Sequence, residues 1–369
     1  MERKLTRSTT ASTAGGRSVT IKDLAAELDL SITTISRALN GYADVGDKTR
    51  AKVEDAALRM GYRPNRNAQR LVLQRTHNIA WVQSANELKY LDPHFAEVMA
   101  GVLTSAREVN YDIVLTSHAV GREIATYDRY VRDNSVDGFI VDLPQEDDER
   151  ITFLLNSGRP FVVHGREQRA ASYGWVDMDN YGNFYRLVRM LIANGHRRLA
   201  FVNGDESFNF ALYRHRAARD AVADAGLPPD ALTIFNSAHP MGDAGFRLTQ
   251  TALSDTKVTA ILYSSILLLV EGYEVLAGAG LRDGRPIAIA TMDDELRHID
   301  QSRLAPRVTF VRSSLHDAGF ALIAELSRQC DSAQPPSGVM VASSFQVAPG
   351  LDGSSLDEPL PAARRGKIG

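Results

Sequence analysis

"LSITTISRALNG", residues 30–41 of a 369-residue chain, sets short polar side chains along the outside of one helix. A helix that only packs usually fills its exposed face with Glu, Lys and Gln, which favour helix and solubility. Here the outward positions are Ser31, Thr33, Thr34, Ser36, Arg37 and Asn40, groups small enough to let a helix backbone approach another molecule. Ile35, Ala38 and Leu39, with Ile32 in part, recur at helical spacing and dock the segment on a small core. Upstream, "TIKDLAAEL" predicts a helix capped by Thr20, with Ile21, Leu24, Ala25 and Leu28 inward. "LDL" is a tight connection and Ser31 the next cap. "DKTRAKVEDAALRMGY" supplies a third helix with Val53, Ala56, Ala57 and Met60 inward, ended by Gly61. Two helices joined by a three-residue turn, the second rich in small polar groups, fit a helix-turn-helix. In that motif the second helix enters the major groove, N-terminal residues at base edges. Ser31, Thr34 and Ser36 can bond phosphates, and Arg37 can take guanine bidentately.

The charge distribution agrees. Residues 1–76 hold 14 Lys/Arg against 8 Asp/Glu, whereas the remainder holds 28 against 37. A basic module on an acidic body suggests that one end meets a polyanion. With 44% apolar and 24% charged residues the chain reads as globular. Its single cysteine, Cys330, excludes an intrachain disulfide framework and fits a reducing cytoplasm. "MERKLTRSTTASTAGGRSV" lacks the apolar core of a secretory signal, and the longest apolar stretch, "ILLLVEGYEVL", is broken by charge. The expectation is a soluble, cytoplasmic, nucleoid-associated protein with no membrane partner.

From residue 78 the pattern changes to short apolar runs alternating with helical segments. "NIAWVQS", "YDIVLTS", "VDGFIVDL", "RPFVVHGRE", "RRLAFVNG", "VTAILYSS" and "RPIAIATMDD" read as strands. Unbroken Val/Ile/Leu strands between helices imply parallel sheets covered on both faces. So many units exceed one doubly wound half, which predicts two α/β subdomains with a cleft between them. The expected organisation is a flexible extension (1–17), a helix-turn-helix domain (18–63), a hinge helix or linker (64–76), a ligand-sensing core (77–350) and a disordered tail (351–369). Catalytic signatures of the HExxH, GxSxG, CxxC and Walker types do not occur, and the nine histidines show no metal-ligand spacing. "GAGLRDG" (278–284) follows a helical run rather than a strand and reads as a helix terminus. No enzyme, cofactor or metal is expected.

The segment "VTIKDLAAELDLSITTISRALNGYADVGDKTRAKVEDAALRMGYRPNRNAQRL" resembles the DNA-binding module of the lactose/galactose-repressor family, and the likeness continues to about residue 354. The resemblance implies that Ile32, Thr33 and Arg37 read operator bases. It also implies that "PNRNAQRL" is a hinge helix folding in the minor groove, with Leu71 as an apolar wedge beside Asn65, Ala68 and Gln69. Asp29 stands where the family usually carries Gly in the turn, and Gly46 where its third helix usually starts with Ser. For the body, the resemblance implies a core like that of periplasmic sugar-binding proteins, closing on a sugar or sugar phosphate. The matching ligand positions are Asp293 in "MDD", Arg216 in "YRHRAARD", Asp142 at the end of "FIVD", and His94 and Phe95 in "DPHFAEV". The family's "DR" is Gly165-Arg166 here, its "ANDxxA" leaves Ser265 for the Asn and Ile266 for the Asp, and its "RQP" reads Arg312-Ser313-Ser314. "FVVHGRE" and "WVDMDN" are worded most like regulators of α-glucoside and oligosaccharide use. The implied function is a homodimeric transcriptional regulator, a repressor, binding a pseudo-palindromic operator. The alternative from another class is a soluble sugar-binding protein without a gene target.

Overall fold

The computed structural model describes residues 19–365 apart from 40, 63–74, 85–91, 120, 168–171, 280, 283–284, 302–303, 305–306 and 333. The chain divides after Thr76 into two compact units, a helical head and a larger core. The flexible extension and most of the linker expected from sequence lie outside the described residues.

Three helices make the head: α1 (Ile21–Leu28), α2 (Ile32–Leu39) and α3 (Asp47–Met60). Asp23 Oδ2 accepts from the Thr20 backbone N–H at 2.7 Å and from its hydroxyl at 2.8 Å, which fixes the first turn of α1. Asp29 ends α1 in the left-handed region at φ 52°, a conformation that Asp tolerates where Gly is usual. Ser31 Oγ accepts from the Thr34 backbone N–H at 3.0 Å and so caps α2. Leu24, Ile35, Val53 and Ala56 are fully buried where the helices meet.

The core holds two six-stranded sheets. The first has strands β1 (Asn78–Ser84), β2 (Asp112–His118), β3 (Gly138–Asp142), β4 (Phe161–His164), β5 (Gly174–Met178) and β13 (Gly338–Val341), in the spatial order β13-β5-β4-β3-β1-β2, all parallel. The second has β6 (Leu199–Asn203), β7 (Leu232–Asn236), β8 (Ala260–Tyr263), β11 (Ala288–Asp293), β12 (Val308–Arg312) and β14 (Ser344–Gln346), in the order β14-β12-β11-β8-β6-β7. Only β14 runs antiparallel to its neighbour in this sheet. A two-residue ladder of β9 (Leu281–Arg282) and β10 (Arg285–Pro286) follows the helix that ends at Gly278. The central strands β3, β6 and β8 are buried along their whole length, as strands covered on both faces must be.

Helices α4 (Pro93–Glu108), α5 (Glu123–Arg132) and α6 (Glu149–Ser157) cover the first sheet, and α8 (Asn209–Asp224), α9 (Ala244–Ser254) and α10 (Ile266–Gly278) cover the second. The chain passes between lobes through α7 (Asn180–Ala193), returns through α11 (Leu315–Ser332) to β13, and crosses again from β13 to β14. Helices α4 and α11 touch at two glycines. A Cβ on Gly101 would sit 2.0 Å from the His316 carbonyl oxygen, and one on Gly319 2.1 Å from that of Val98.

The tail departs from expectation over residues 351–365. Leu356 is buried, Asn194 Oδ1 accepts from the Asp352 N–H at 2.8 Å, and α12 (Ala362–Arg365) brings Arg364 to Asp220 at 3.0 Å and Asp224 at 2.9 Å. Composition predicted disorder there; specific contacts with α7 and α8 fold it instead.

Candidate functional site

On the head, α2 exposes Ser31, Ile32, Thr33 and Arg37, with Thr34 and Ser36 half-buried beside them. Ile32 is a large apolar side chain 44% exposed on this face, which a helix kept only for packing would turn inward. The Thr20 hydroxyl is held by Asp23. Asn40 and the hinge candidates Asn65, Ala68, Gln69 and Leu71 lie outside the described residues.

In the core, a cavity of about 1450 Å³ opens between the two sheets. His94, on the first turn of α4, stands at the junction of the lobes. Asp92 caps that helix, accepting from the His94 backbone N–H at 2.9 Å and lying 2.8 Å from ring Nδ1. Ring Nε2 reaches across to Asp294 Oδ2 and to Ser265 Oγ, each at 3.1 Å. Burial disfavours the imidazolium, but hydrogen bonds and charge from Asp294 and Asp92 outweigh it and raise the pKa to about 10. The ring is therefore protonated and donates from both nitrogens.

A proton held this way is a stability term. The unfolded-state value near 6.5 lies below the folded one, so the stabilisation is complete below pH 6.5 and is lost as pH rises through about 10. One such proton contributes a slope of at most about 1.4 kcal/mol per pH unit within that window. Denaturant titrations at pH 7, 8 and 9 should show wild-type core losing stability faster than His94→Gln. Parallel slopes for the two proteins would show that His94 is not charged.

Among the described residues, Arg214 on α8 is the most deeply buried arginine. Its Nε donates to Asn180 Oδ1 at 2.8 Å, Nη1 to the Ser264 carbonyl at 2.6 Å, and its plane lies between Phe184 and Phe210, with centroids at 4.8 and 5.1 Å. Burial lowers its pKa to about 10, against the pull of Asp294 and Asp177, so it remains charged at neutral pH. Arg166 meets Asp177 at 3.0 Å and covers the Trp175 ring at 4.9 Å. Burial pushes the Asp177 carboxyl up to about 6, with Arg166 and the Met178 N–H opposing. Asp142, at the end of β3, accepts from Gln83 Nε2 at 3.3 Å. Phe95 packs on Trp81 at 5.2 Å between ring centroids, and both line the cavity.

Two expected ligand groups are placed elsewhere. Asp293 does not line the cavity: it is fully buried, holding Arg312 at 3.0 Å and Gln301 at 2.6 Å. Its neighbour Asp294 faces the cavity instead, because side chains alternate sides along an extended segment. Arg216 is half-buried and does not line the cavity, but it bridges at 2.8 Å to Glu146, which does. Arg214 takes the inward place, since positions two apart on a helix point about 200° away from each other. His94, Phe95, Asp142, Arg166 and Ser265 do line the cavity. Asp92, Asp177, Asn180 and Trp81 join them without having been singled out by sequence. Among the described residues no group of three or more His, Cys, Asp or Glu could hold a metal ion, and no helix is long and apolar enough to cross a membrane.

Comparison with known proteins fits both halves. Residues 20–65 match the family model of bacterial regulatory proteins of the lacI family. Residues 84–250 match that of periplasmic binding proteins and the sugar binding domain of the LacI family, and residues 188–347 a periplasmic binding protein-like domain. The HTH-type transcriptional regulator AglR of Rhizobium meliloti (strain 1021) is 38% identical over 82% of this chain and 85% of its own length. The regulator CelR of Thermobifida fusca is 30% identical over 75% and 83%. Among solved structures, a transcriptional regulator CelR–cellobiose complex is similar with a TM-score of 0.61 at 26% identity, over 89% of this chain and 98% of that one. A lac repressor dimer bound to operator and the anti-inducer ONPF shares the fold, with a TM-score of 0.73 at 20% identity over 90% of this chain and 98% of that one. An exposed face of short polar groups in the head, an interlobe cavity with charged groups in its lining and relatives matched across most of the chain lead to one assignment: the protein is a transcriptional regulator of the lacI family, with a helix-turn-helix DNA-binding domain and a sugar-binding core rather than an enzyme's active site.

Proposed function

We propose that the protein is a homodimeric repressor of a carbohydrate-utilisation operon, acting at the nucleoid and modulated by a neutral di- or oligosaccharide in its cavity. The observation that carries the reading is the exposed row Ser31, Ile32, Thr33 and Arg37 on α2, short groups with one long cation. By that reading Thr34, Ser36 and Thr20 sit nearer the phosphates, and the hinge residues Asn65, Ala68, Gln69 and Leu71 open the operator's centre. Two copies would place two such helices in successive major grooves. Exposed Phe246 on α9 and Val270 on α10, two helices in contact, offer apolar surface for a second copy.

Size and charge bear on the effector. The cavity exceeds the roughly 300–1,000 Å³ of ordinary ligand pockets, so a saccharide of more than one ring fits it better than a monosaccharide. His94, Arg150 and Arg166 each face a carboxylate already; Arg214 also lines the cavity, but Asp142, Asp147, Glu149 and Asp205 in the same lining outnumber it. Such a wall suits hydroxyls and repels a phosphate. The cellobiose-bound relative carries a disaccharide.

Selection of binding sites from random duplex DNA at near-physiological salt tests the proposal, because phosphate contacts alone look convincing in dilute buffer. A palindrome should emerge, and neutral oligosaccharides should change its occupancy while sugar phosphates do not. Arg37→Ala should cost ~1–3 kcal/mol on that site and relax preference at one base pair per half-site. Equal weakening on every sequence would reassign Arg37 to phosphate. A folded dimer that enriched no sequence, with or without sugars, would leave a sugar-binding protein without a gene target.

A further inference from the structure

The guanidinium of Arg37 is held before any DNA arrives. Its Nε donates to Asp44 Oδ1 at 3.2 Å and its Nη2 lies 2.7 Å from Asp44 Oδ2, fork against fork. The ring of Tyr42 lies against it, 5.1 Å from guanidinium carbon to centroid. Asp44 belongs to the connection between α2 and α3, and that connection is tied at both ends. The Tyr42 N–H donates to the Arg37 carbonyl at 3.1 Å, and Arg50 on α3 donates from Nη2 to the carbonyls of Tyr42 at 2.9 Å and Val45 at 3.2 Å. Val45 is buried in the head's core.

Folding alone does not account for the arrangement. The side chains of Arg37 and Asp44 are 46% and 54% exposed, and ion pairs that wet contribute little to stability. A carboxylate beside a face that meets a polyanion also weakens phosphate-driven binding. Its geometric effect is different. With the Nε–Nη2 edge occupied by the carboxylate, the Nη1–Nη2 end of the guanidinium is left as a two-donor fork, the shape that matches guanine N7 and O6.

We propose that Asp44 is a positioning residue that sets operator specificity, with Tyr42 as its shelf: it aims Arg37 at a guanine and gives up non-specific affinity in return. The inference rests on reading α2 as the groove-entering helix. The test measures full-length wild type, Asp44→Ala, Asp44→Asn and Arg37→Ala on the selected operator, on its three single-base variants at the Arg37 position, and on random duplex. Asp44→Ala should bind random duplex several-fold tighter, while its preference for guanine at that position falls about tenfold. Asp44→Asn, which keeps one acceptor, should fall between, and the double variant with Arg37→Ala should discriminate no worse than Arg37→Ala alone. If Asp44→Ala shifts operator and random duplex equally and keeps the guanine preference, Asp44 only tunes charge and the proposal is overturned. If Arg37→Ala itself leaves base preference unchanged while wild type selects an operator, the groove reading of Arg37 fails instead, and the proposal with it.

Discussion

Ile35→Ala should unfold the head and abolish operator binding while the core keeps its ligand affinity. Ile35 is fully buried on the inner face of α2, against Leu24, Val53 and Ala56. Removing three side-chain carbons from such a place costs roughly 2–5 kcal/mol, because a cavity replaces packed atoms. At about 0.05–0.15 kcal/mol per residue, a head of about 45 residues has only roughly 2–7 kcal/mol to lose. The same substitution in the core would be absorbed, since its main cluster joins residues from both lobes. Head and core have separate hydrophobic clusters, so the loss should not spread. Hydrogen exchange should show α1–α3 unprotected and the core unchanged, with operator affinity down more than a hundredfold. A variant that keeps head protection and wild-type operator binding would mean that linker or core residues hold the helices. Thr33→Ala, on the exposed face, is the contrast: it should alter operator affinity with the head still folded.

The head is the part of this molecule that a reader of the sequence recovers best, and the reason is locality. Thr20, Asp29, Ser31 and Gly61 act through neighbours three or four positions away, so cap and stop residues announce themselves. Strands β1 to β4, β6, β8 and β11 are equally plain, whereas β5, "GWVDM", and β12, "VTFVR", do not stand out although each lies between two neighbours. Edge strand β7, "LTIFN", with its mixed burial, and short β13 and β14 are not plain either, because their apolar patterns are too brief to stand out. The cavity is legible in its chemistry and not in its registers. "MDD" and "YRHR" announce a carboxylate and an arginine, yet which member of each pair faces inward depends on strand pleat and helix phase. Those phases are fixed by packing: Asp293 is drawn away by Arg312 and Gln301, and Arg214 is drawn in by Phe184, Phe210 and Asn180. The tail fails for a related reason. A Gly- and Ser-rich composition predicts disorder, but Arg364 finds Asp220 and Asp224, more than a hundred positions away in sequence.

Those phases make the sharpest test of the ligand site. Asp294→Asn should lower effector affinity about 10–100-fold, the loss expected when a charged hydrogen-bonding partner worth roughly 1.5–3 kcal/mol is removed. It should also weaken the coupling of ligand to operator, because Asp294 is the charged group, beside the Ser265 hydroxyl, through which the second lobe holds His94 of the first, and a ligand shifts closure only as far as it distinguishes the two states. Arg214→Ala should act in the same direction more strongly, since it empties the slot between Phe184 and Phe210 and leaves Asn180 Oδ1 and the Ser264 carbonyl without that donor. Their sequence neighbours should behave differently. Arg216→Ala breaks one solvent-wetted pair with Glu146, on the cavity's lining, and should change effector affinity far less than Arg214→Ala does. Asp293→Asn removes the partner of Arg312 in a buried place; it should cost core stability by up to about 3–5 kcal/mol and bind effector normally below its melting point. Calorimetric titration with effector, paired with thermal unfolding of each variant, separates the two classes. Normal effector binding by Asp294→Asn alongside failure of a folded Asp293→Asn would return the ligand carboxylate to Asp293, and with it the opposite pleat for the end of β11.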